Sequence, residues 1–301
     1  YRRRLPYRSR LPVICVGNFT AGGTGKTPLA IFIARQVIAR GQRPVFLTRG
    51  YGGRTAGPAW VDAQPGAAQL YGDEPLLLAA VAPTVVARDR RAGIIAIETL
   101  GRDPNVVIMD DGLQNPAVAK DLSIALVDGK RGIGNGEVIP AGPLRAPLDF
   151  QIGLVDAVVV RDPPSTTERG SVHAVLRDGF PGPVLAANIA PTGDTSWVPT
   201  QPLIAFAGIA NPQRFYNLLQ RLGGKLIECV SFADHHAFTR ADAERLVALA
   251  QNAGAQLVTT EKDFARMAGE AALAGLVAHT RVLPIELTFD DRDLGRLGSL
   301  I

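Results

Sequence analysis

The sequence predicts an α/β protein: a parallel-sheet core, a β-hairpin linker and a second, smaller α/β domain. Three observations predict it. Short apolar runs alternate with segments of helical period, which is the pattern of βαβ units. The first run ends in a glycine-rich loop that opens a helix. The alternation breaks over residues 151–201, where prolines cluster, and then resumes. The expected boundaries are a core over 1–150 with a basic flank over 1–10, a linker over 151–200, and the smaller domain over 201–301. With 301 residues, 47% hydrophobic and 20% charged, the chain has ample material for two cores and no sign of bulk disorder.

The elements follow in order. Residues 13–16, "VICV", are an apolar run that ends at Gly17 and reads as a buried strand. Pro28 suits a first helical position, and "LAIFIARQVIAR" continues with an amphipathic period to Gly41, a good helix end. "PVFLTRG" is the next strand and closes a βαβ unit. "DEPLLLAAVA" reads as a helix, "TVVA" as a strand, and "DRRAGIIAIETL" as a helix with Asp89 near its start. "NVVIMDD" is an apolar strand ended by two acids, and "LSIALVDG" is another. Between 151 and 201, "SVHAVL" and "PVLAANI" alternate without helical period, which suggests a hairpin or two. "LIAFAGIA", a helix from Pro212, "KLIECVSF", a helix from Ala241, "AQLVTT" and "EKDFARMAG" then restore the alternation.

Charge and cysteine usage narrow the function classes. The net charge is +4, yet the opening "YRRRLPYRSR" has five arginines in ten residues. Such a run is a solvated tail, a nucleic-acid arm or a segment against anionic lipid. Weak overall charge and 6% aromatics give a nucleic-acid binder little support. A chain that opens on Tyr1 rather than Met is expected to be part of a longer protein, and no transmembrane span is visible in it. Cys15 lies in an apolar run and Cys229 in a strand, so neither a disulfide framework nor a metal cluster is expected, in keeping with a reducing compartment.

The loop "TAGGTGKTP" carries the chemistry. Successive backbone N–H groups must face phosphate oxygens, and side chains would block that approach. Thr20, Ala21, Gly22, Gly23, Thr24, Gly25, Lys26 and Thr27 make the expected nucleotide cradle. Lys26 would reach the β- and γ-phosphates, Thr27 would bind Mg²⁺, and the helix start adds its partial positive charge. The usual pattern has Gly where this chain has Thr20. That position makes only the opening turn, and the glycines nearest the phosphates are kept. The core is therefore expected to be P-loop NTPase-like. A second Mg²⁺ anchor is expected at the end of a neighbouring parallel strand, where "VVIMDDGLQ" places Asp110 and Asp111. The stretch "TTEKD" fails the guanine-reading spacing and reads as a capping box of Thr260 and Asp263, so adenine is the expected base. Transfer to an acceptor hydroxyl needs a positioning carboxylate. Asp73 and Glu74 of "LYGDEP", and Asp234, His235 and His236 of "SFADHHAF", are the candidates; the latter trio reads equally as a helix start capped by Asp234.

Nine motifs occur in one order: "VGNFTAGGTGKTP", "TRGYGG", "GDEPLLLA", "DDGLQ", "DLSIALVDGKRGIGNG", "PAGPLR", "FAGIANPQRF", "FADHHAFT" and "TTEKD". Together, over roughly residues 11–266, they resemble the tetraacyldisaccharide 4'-kinases of Gram-negative bacteria, whose loop also has Thr in the first-glycine place. The resemblance implies ATP- and Mg²⁺-dependent phosphorylation of the 4'-hydroxyl of a tetraacylated glucosamine disaccharide 1-phosphate, giving lipid IVA. It implies a monomer at the cytoplasmic face of the bacterial inner membrane, with a membrane helix just before Tyr1. It matches Asp73 to the catalytic carboxylate and His235, or its neighbour His236, to the partner that orients it and tunes its pKa. Lys26 and Asp111 fall near the transferring phosphate. Thr27, Glu74, Asp110 and Gln114 are the implied Mg²⁺ shell. Arg49, Arg88, Arg131 and Arg145 are candidates for phosphate contacts. One departure is visible: many relatives read "PLREP" where this chain has Ala146. A nucleotide-driven switch or metallochaperone would use the same loop and Asp pair, but the chain has no Cys cluster and no guanine motif.

Overall fold

The computed structural model describes residues 5–62, 64–99, 103–163, 176 and 179–301. The chain forms β1 (Val13–Gly17), α1 (Lys26–Ala39), β2 (Pro44–Thr48), β3 (Ala59–Trp60), α2 (Ala67–Tyr71), α3 (Asp73–Ala79), β4 (Thr84–Val86), α4 (Arg90–Thr99), β5 (Val106–Asp110) and β6 (Leu122–Asp128). It continues through α5 (Leu148–Ile152), β7 (Ala157–Arg161), β8 (Val184–Pro191), β9 (Pro202–Ala207), α6 (Pro212–Arg221), β10 (Lys225–Ser231) and α7 (Arg240–Ala253). The last elements are β11 (Gln256–Thr259), α8 (Glu261–Met267), α9 (Ala274–His279), β12 (Thr280–Val282), β13 (Ile285–Thr288) and α10 (Asp291–Gly298).

The larger sheet has the order β13-β8-β7-β6-β1-β5-β2-β4-β3, with only β3 and β13 antiparallel to their neighbours. A parallel sheet covered on both faces needs strands that are apolar throughout. β1, β2, β5, β6 and β7 are accordingly buried at every position. Phe46, Ile108, Leu126 and Leu29 pack on one face, and Leu47, Met109, Ile94 and Val127 on the other. Each such side chain contributes about 1.5–3 kcal/mol by leaving water. β1 lies between β6 and β5, so its carboxyl end opens at the centre of the sheet. Ligands of open parallel sheets bind at such a crevice.

The smaller sheet, β10-β9-β11-β12, is parallel throughout. Helix α6 covers one face through Phe215, Tyr216 and Leu219, and α7 covers the other through Leu246 and Ala250. The caps follow the sequence. Thr239 and Asp242 form a reciprocal capping box on α7, and Thr260 caps α8 by accepting from Asp263 N. The helix expected from Ala241 thus starts one residue earlier, capped by Thr239 and not by Asp234.

Three parts of the sequence reading are corrected. Residues 151–200 do not form a separate linker in their described part: β7 and β8 are parallel partners inside the large sheet. The apolar run "AVVV" is the signal of a buried strand, and β8 pairs beside it. The expected hairpin, where it falls on residues 164–175, lies outside the described residues. The tail also leaves the smaller unit, since β13 pairs with β8 and Leu287 and Leu297 join the large core. Finally, the basic opening is not a free tail from Tyr7 onward. The Tyr7 hydroxyl and Arg10 N donate to Glu98 at 2.6 and 2.7 Å, and Arg8 pairs with Asp121. Cys15 is fully buried, which pushes its thiol up to about 12, while Cys229 is exposed.

Candidate active site

The loop over 20–25 leaves the carboxyl end of β1 and runs into α1, so its N–H groups and the helix dipole converge. Gly22 (φ 102°) and Gly25 (φ 96°) occupy the left-handed region that favours glycine. Thr20 does not: it keeps an ordinary backbone and forms an antiparallel bridge with Leu144, beside an Ala21 N to Pro143 O bond of 2.8 Å. A first glycine is therefore unnecessary here. Asn18, fully buried, braces the loop through Nδ2 bonds to Thr20 O (2.6 Å) and Thr24 Oγ1 (3.0 Å). Arg145 Nε adds a bond to Thr20 O at 3.3 Å.

Asp110 ends β5 directly opposite Val16 of β1, as the sequence predicts for a parallel neighbour. It is 1% exposed, and neither carboxylate oxygen has a hydrogen-bond partner. Burial, with the nearby charge of Glu74, pushes its carboxyl up to about 7 against the pull of Lys26. Asp111 sits at φ 54° and faces Arg145 at 3.3 Å and Lys26 Nζ at 3.8 Å. Among the described residues no three His, Cys, Asp or Glu side chains form a metal cage by themselves. Mg²⁺ does not ask for one, since it takes one or two carboxylates and keeps waters and phosphate oxygens. The partnerless oxygens of Asp110, near Glu74 and Lys26, fit that mode, and the buried Thr27 follows Lys26 in the loop. Gln114 is placed differently. Its Nε2 donates to Asn18 O (2.8 Å) and Gln151 Oε1 (2.7 Å), so it braces the start of the loop.

Asp73 opens α3 and meets the smaller unit. His235 Nδ1 lies 3.2 Å from Asp73 Oδ2, and Arg266 Nε donates to the same oxygen at 2.7 Å. Oδ1 accepts the N–H of Glu74 at 2.8 Å, and Lys262 Nζ donates to Glu74 Oε1 at 2.9 Å. Burial alone would raise the Asp73 carboxyl, but the His235 hydrogen bond and the Lys262 and Arg266 charges hold it well below the usual carboxylate range. His235 takes a left-handed backbone (φ 59°), its N bonds Gly208 O at 3.0 Å, and the Tyr51 ring stands 5.2 Å from its own. His236 turns away, to Asp242 at 3.1 Å and onto Phe232. The geometry thus separates the two histidines in favour of His235.

Several site residues escaped the sequence reading. Arg266 is fixed by Gly208 O and Asp263 Oδ1, both at 2.8 Å. Asp263, read as a cap, is therefore also the Arg266 holder. Lys262 and Asn18 lie inside quoted motifs, "TTEKD" and "VGNFTAGGTGKTP", but no spacing there assigns either a role. Arg90, 3% exposed, donates to the carbonyls of Ala87 (2.6 Å) and Asp111 (3.4 Å). Of the arginines singled out, Arg145 and Arg131 reach the loop, the latter 3.9 Å from where a Gly22 Cβ would stand. Arg88 donates to Gly53 O and Arg49 is exposed. With Ala146 beside it, Arg145 is held by Asp111 and Thr20 O.

The His235 pair sets a pH dependence. The hydrogen bond to Asp73 and the Asp73 charge raise the imidazole pKa, against burial. A raised His contributes stability that is full below its unfolded value, about 6.5, and is lost as pH rises through the folded value. Asp73, being lowered, loses its share only in strong acid. Melting temperature is expected to fall as pH rises above about 6.5, and His235→Gln should flatten that slope. A parent-like slope in the variant, measured by scanning fluorimetry, rules the pair out as its source.

The chain matches the family model LpxK, described as tetraacyldisaccharide-1-P 4'-kinase, over residues 1–297. A protein from Parvibaculum lavamentivorans named tetraacyldisaccharide 4'-kinase is 46% identical over 267 residues, 88% of this chain and 76% of that one. One of the same name from Methylorubrum extorquens is 47% identical over 280 residues, 93% and 82% of the two chains. The crystal structure of LpxK from Aquifex aeolicus in complex with ATP superposes with a TM-score of 0.74 at 26% identity, covering 99% of this chain and 89% of that one.

Proposed function

The chain belongs to the tetraacyldisaccharide 4'-kinase family, and from that premise we propose how its residues divide the work of the reaction. The enzyme phosphorylates the 4'-hydroxyl of a tetraacyldisaccharide 1-phosphate to give lipid IVA, with ATP as donor. The loop N–H groups of 22–25 and Lys26 hold the donor phosphates. Asp110, Glu74 and Thr27 would hold Mg²⁺, which when bound neutralises charge on the transferred phosphoryl group. Asp111 holds Lys26 and Arg145 near that group. Asp73 accepts a hydrogen bond from the 4'-hydroxyl, aligns its oxygen in line, and takes its proton as the new O–P bond forms and the bond from the γ-phosphorus to the bridging oxygen breaks, releasing ADP. A carboxylate held this far below its usual range is a weak base, and a loose phosphoryl transfer asks more for alignment than for basicity. His235 and Arg266 fix Asp73 for that role. The Asp73 side chain is 2% exposed, so the seam between the two units must part to admit the hydroxyl.

The observation that carries this reading is the meeting of Asp73 with His235 across the seam, at 3.2 Å. Four acyl chains place the acceptor at a membrane surface, and we assign the inner-membrane face as the place of action. Among the described residues no helix is long and apolar enough to cross a membrane. The test uses labelled ATP, Mg²⁺ and purified acceptor lipid in mixed micelles. Label is expected on the lipid; ATP hydrolysis by folded protein with none on the lipid would reject the reading.

A further inference from the structure

Asp128 ends β6, the neighbour of the loop strand, and is 2% exposed. Its carboxylate gathers donors from three places. Arg161, at the end of β7, donates Nη2 to Oδ2 at 2.7 Å. Arg214, the third residue of α6 in the smaller unit, forks onto it with Nη2 to Oδ1 and Nη1 to Oδ2, both at 2.7 Å. The N–H groups of Lys130 and Arg131 complete Oδ1 at 3.0 and 3.1 Å. The Arg161 guanidinium lies against Gly25, since a Cβ there would stand 2.8 Å from its Nη1. One buried carboxylate therefore joins the end of the phosphate loop to the first turn of α6.

The segment over 208–211, which leads into α6, links this cluster to the other side of the site. Ala210 faces Gly23, where an added Cβ would come within 3.3 Å of its methyl. Gly208 O accepts His235 N at 3.0 Å and Arg266 Nη1 at 2.8 Å, and Gly208 N donates to Asp263 at 3.0 Å. The same short segment thus carries the two Asp73 partners at one end, touches the phosphate loop in its middle, and is pinned by Arg214 beyond its other end.

We propose that Arg214 is a positioning residue: its fork on Asp128 seats the 208–211 segment against the phosphate loop, and so sets the register in which His235 and Arg266 meet Asp73. A planar fork fixes orientation as well as distance, which a point charge does not. Without it the first turn of α6 loses its charged hold on the large unit, and the seam loses a charged tie that lies apart from the one at Asp73 and Glu74. The other tie, at Asp73 and Glu74, must then close without a fixed register. The inference rests on the kinase reading of the Asp73 site.

The test compares Arg214→Gln and Arg214→Lys with the parent in the full chain. Readouts are lipid turnover, ATP affinity, melting temperature, and hydrogen exchange over 206–211 and 232–236. Arg214 is partly exposed, so both variants are expected to fold. Arg214→Gln should lower kcat about tenfold and speed exchange in both segments, with ATP affinity within about threefold of the parent. Arg214→Lys should fall between the two and carries the same comparison if the Gln variant does not fold. Parent-like kcat, or lost turnover with exchange over 206–211 unchanged, overturns the proposal. A parent that transfers nothing to lipid refutes instead the kinase reading, and the exchange comparison still decides whether Arg214 seats the segment.

Discussion

Asp73→Asn is expected to lower kcat by about three orders of magnitude while ATP affinity stays within a few-fold of the parent, because a positioned carboxylate acting on the acceptor proton contributes about 10²–10⁴. The amide keeps the shape and can still accept from Arg266 Nε, but it cannot take a proton. Stability should fall as well. Arg266 has an 8% exposed side chain, and Asp73 is one of two carboxylates that neutralise it. Removing one partner of a buried pair typically costs about 3–5 kcal/mol, and the remaining partner Asp263 should reduce that here. Turnover and melting temperature therefore separate the two roles. Adding Arg266→Gln to Asp73→Asn removes the under-neutralised cation but leaves buried Asp263 without its ion partner, so it should recover melting temperature at most in part and recover no turnover. Parent-like turnover in the single variant would remove Asp73 from the mechanism, and full recovery in the double variant would make its role purely structural.

The parts of the site written locally in the chain could be read from it. The phosphate loop, the helix it opens and the Asp110–Asp111 strand end are contiguous, and their chemistry dictates their spacing. Pairing of the β5 end with β1 followed from both runs being wholly apolar. The seam could not be read this way. Arg266 meets Asp73 across 193 residues, Lys262 meets Glu74 across 188, and Arg214 meets Asp128 across 86. Each of these cations sits on a short helix where a charged residue normally faces water. Only a fold that sets these helices against Asp73, Glu74 and the end of β6 in the large unit turns it inward. His235 was legible only as one of a candidate trio that motif resemblance narrowed to a pair, and its separation from His236 needed the left-handed turn that aims the two rings apart. Gln114, which motif position suggested for the metal shell, has a further part that no motif carried: its amide nitrogen braces Asn18.

Asp110→Asn is expected to lower turnover by at least about a hundredfold and yet leave the metal-free protein as stable as the parent, or more so, at pH 8. The sign follows from burial. The Asp110 carboxyl is pushed up to about 7, so the folded chain holds its proton more tightly than the unfolded chain does. Stability of the metal-free protein therefore falls as pH rises from about 4 to about 7, and above that range the ionised group costs on the order of a few kcal/mol. An asparagine in the same place leaves polar atoms unpaired, at about 1–3 kcal/mol, but has no charge to desolvate. The second cost is no larger than the first, which fixes the expected direction. Mg²⁺ should then raise the melting temperature of the parent at pH 8 and raise that of the variant much less. Melts with chelator and with Mg²⁺, at pH 5 and pH 8, check both statements. A variant that melts well below the parent in chelator at pH 8, or that gains as much from Mg²⁺, would mean that Asp110 is held by partners in the fold rather than kept for the cation.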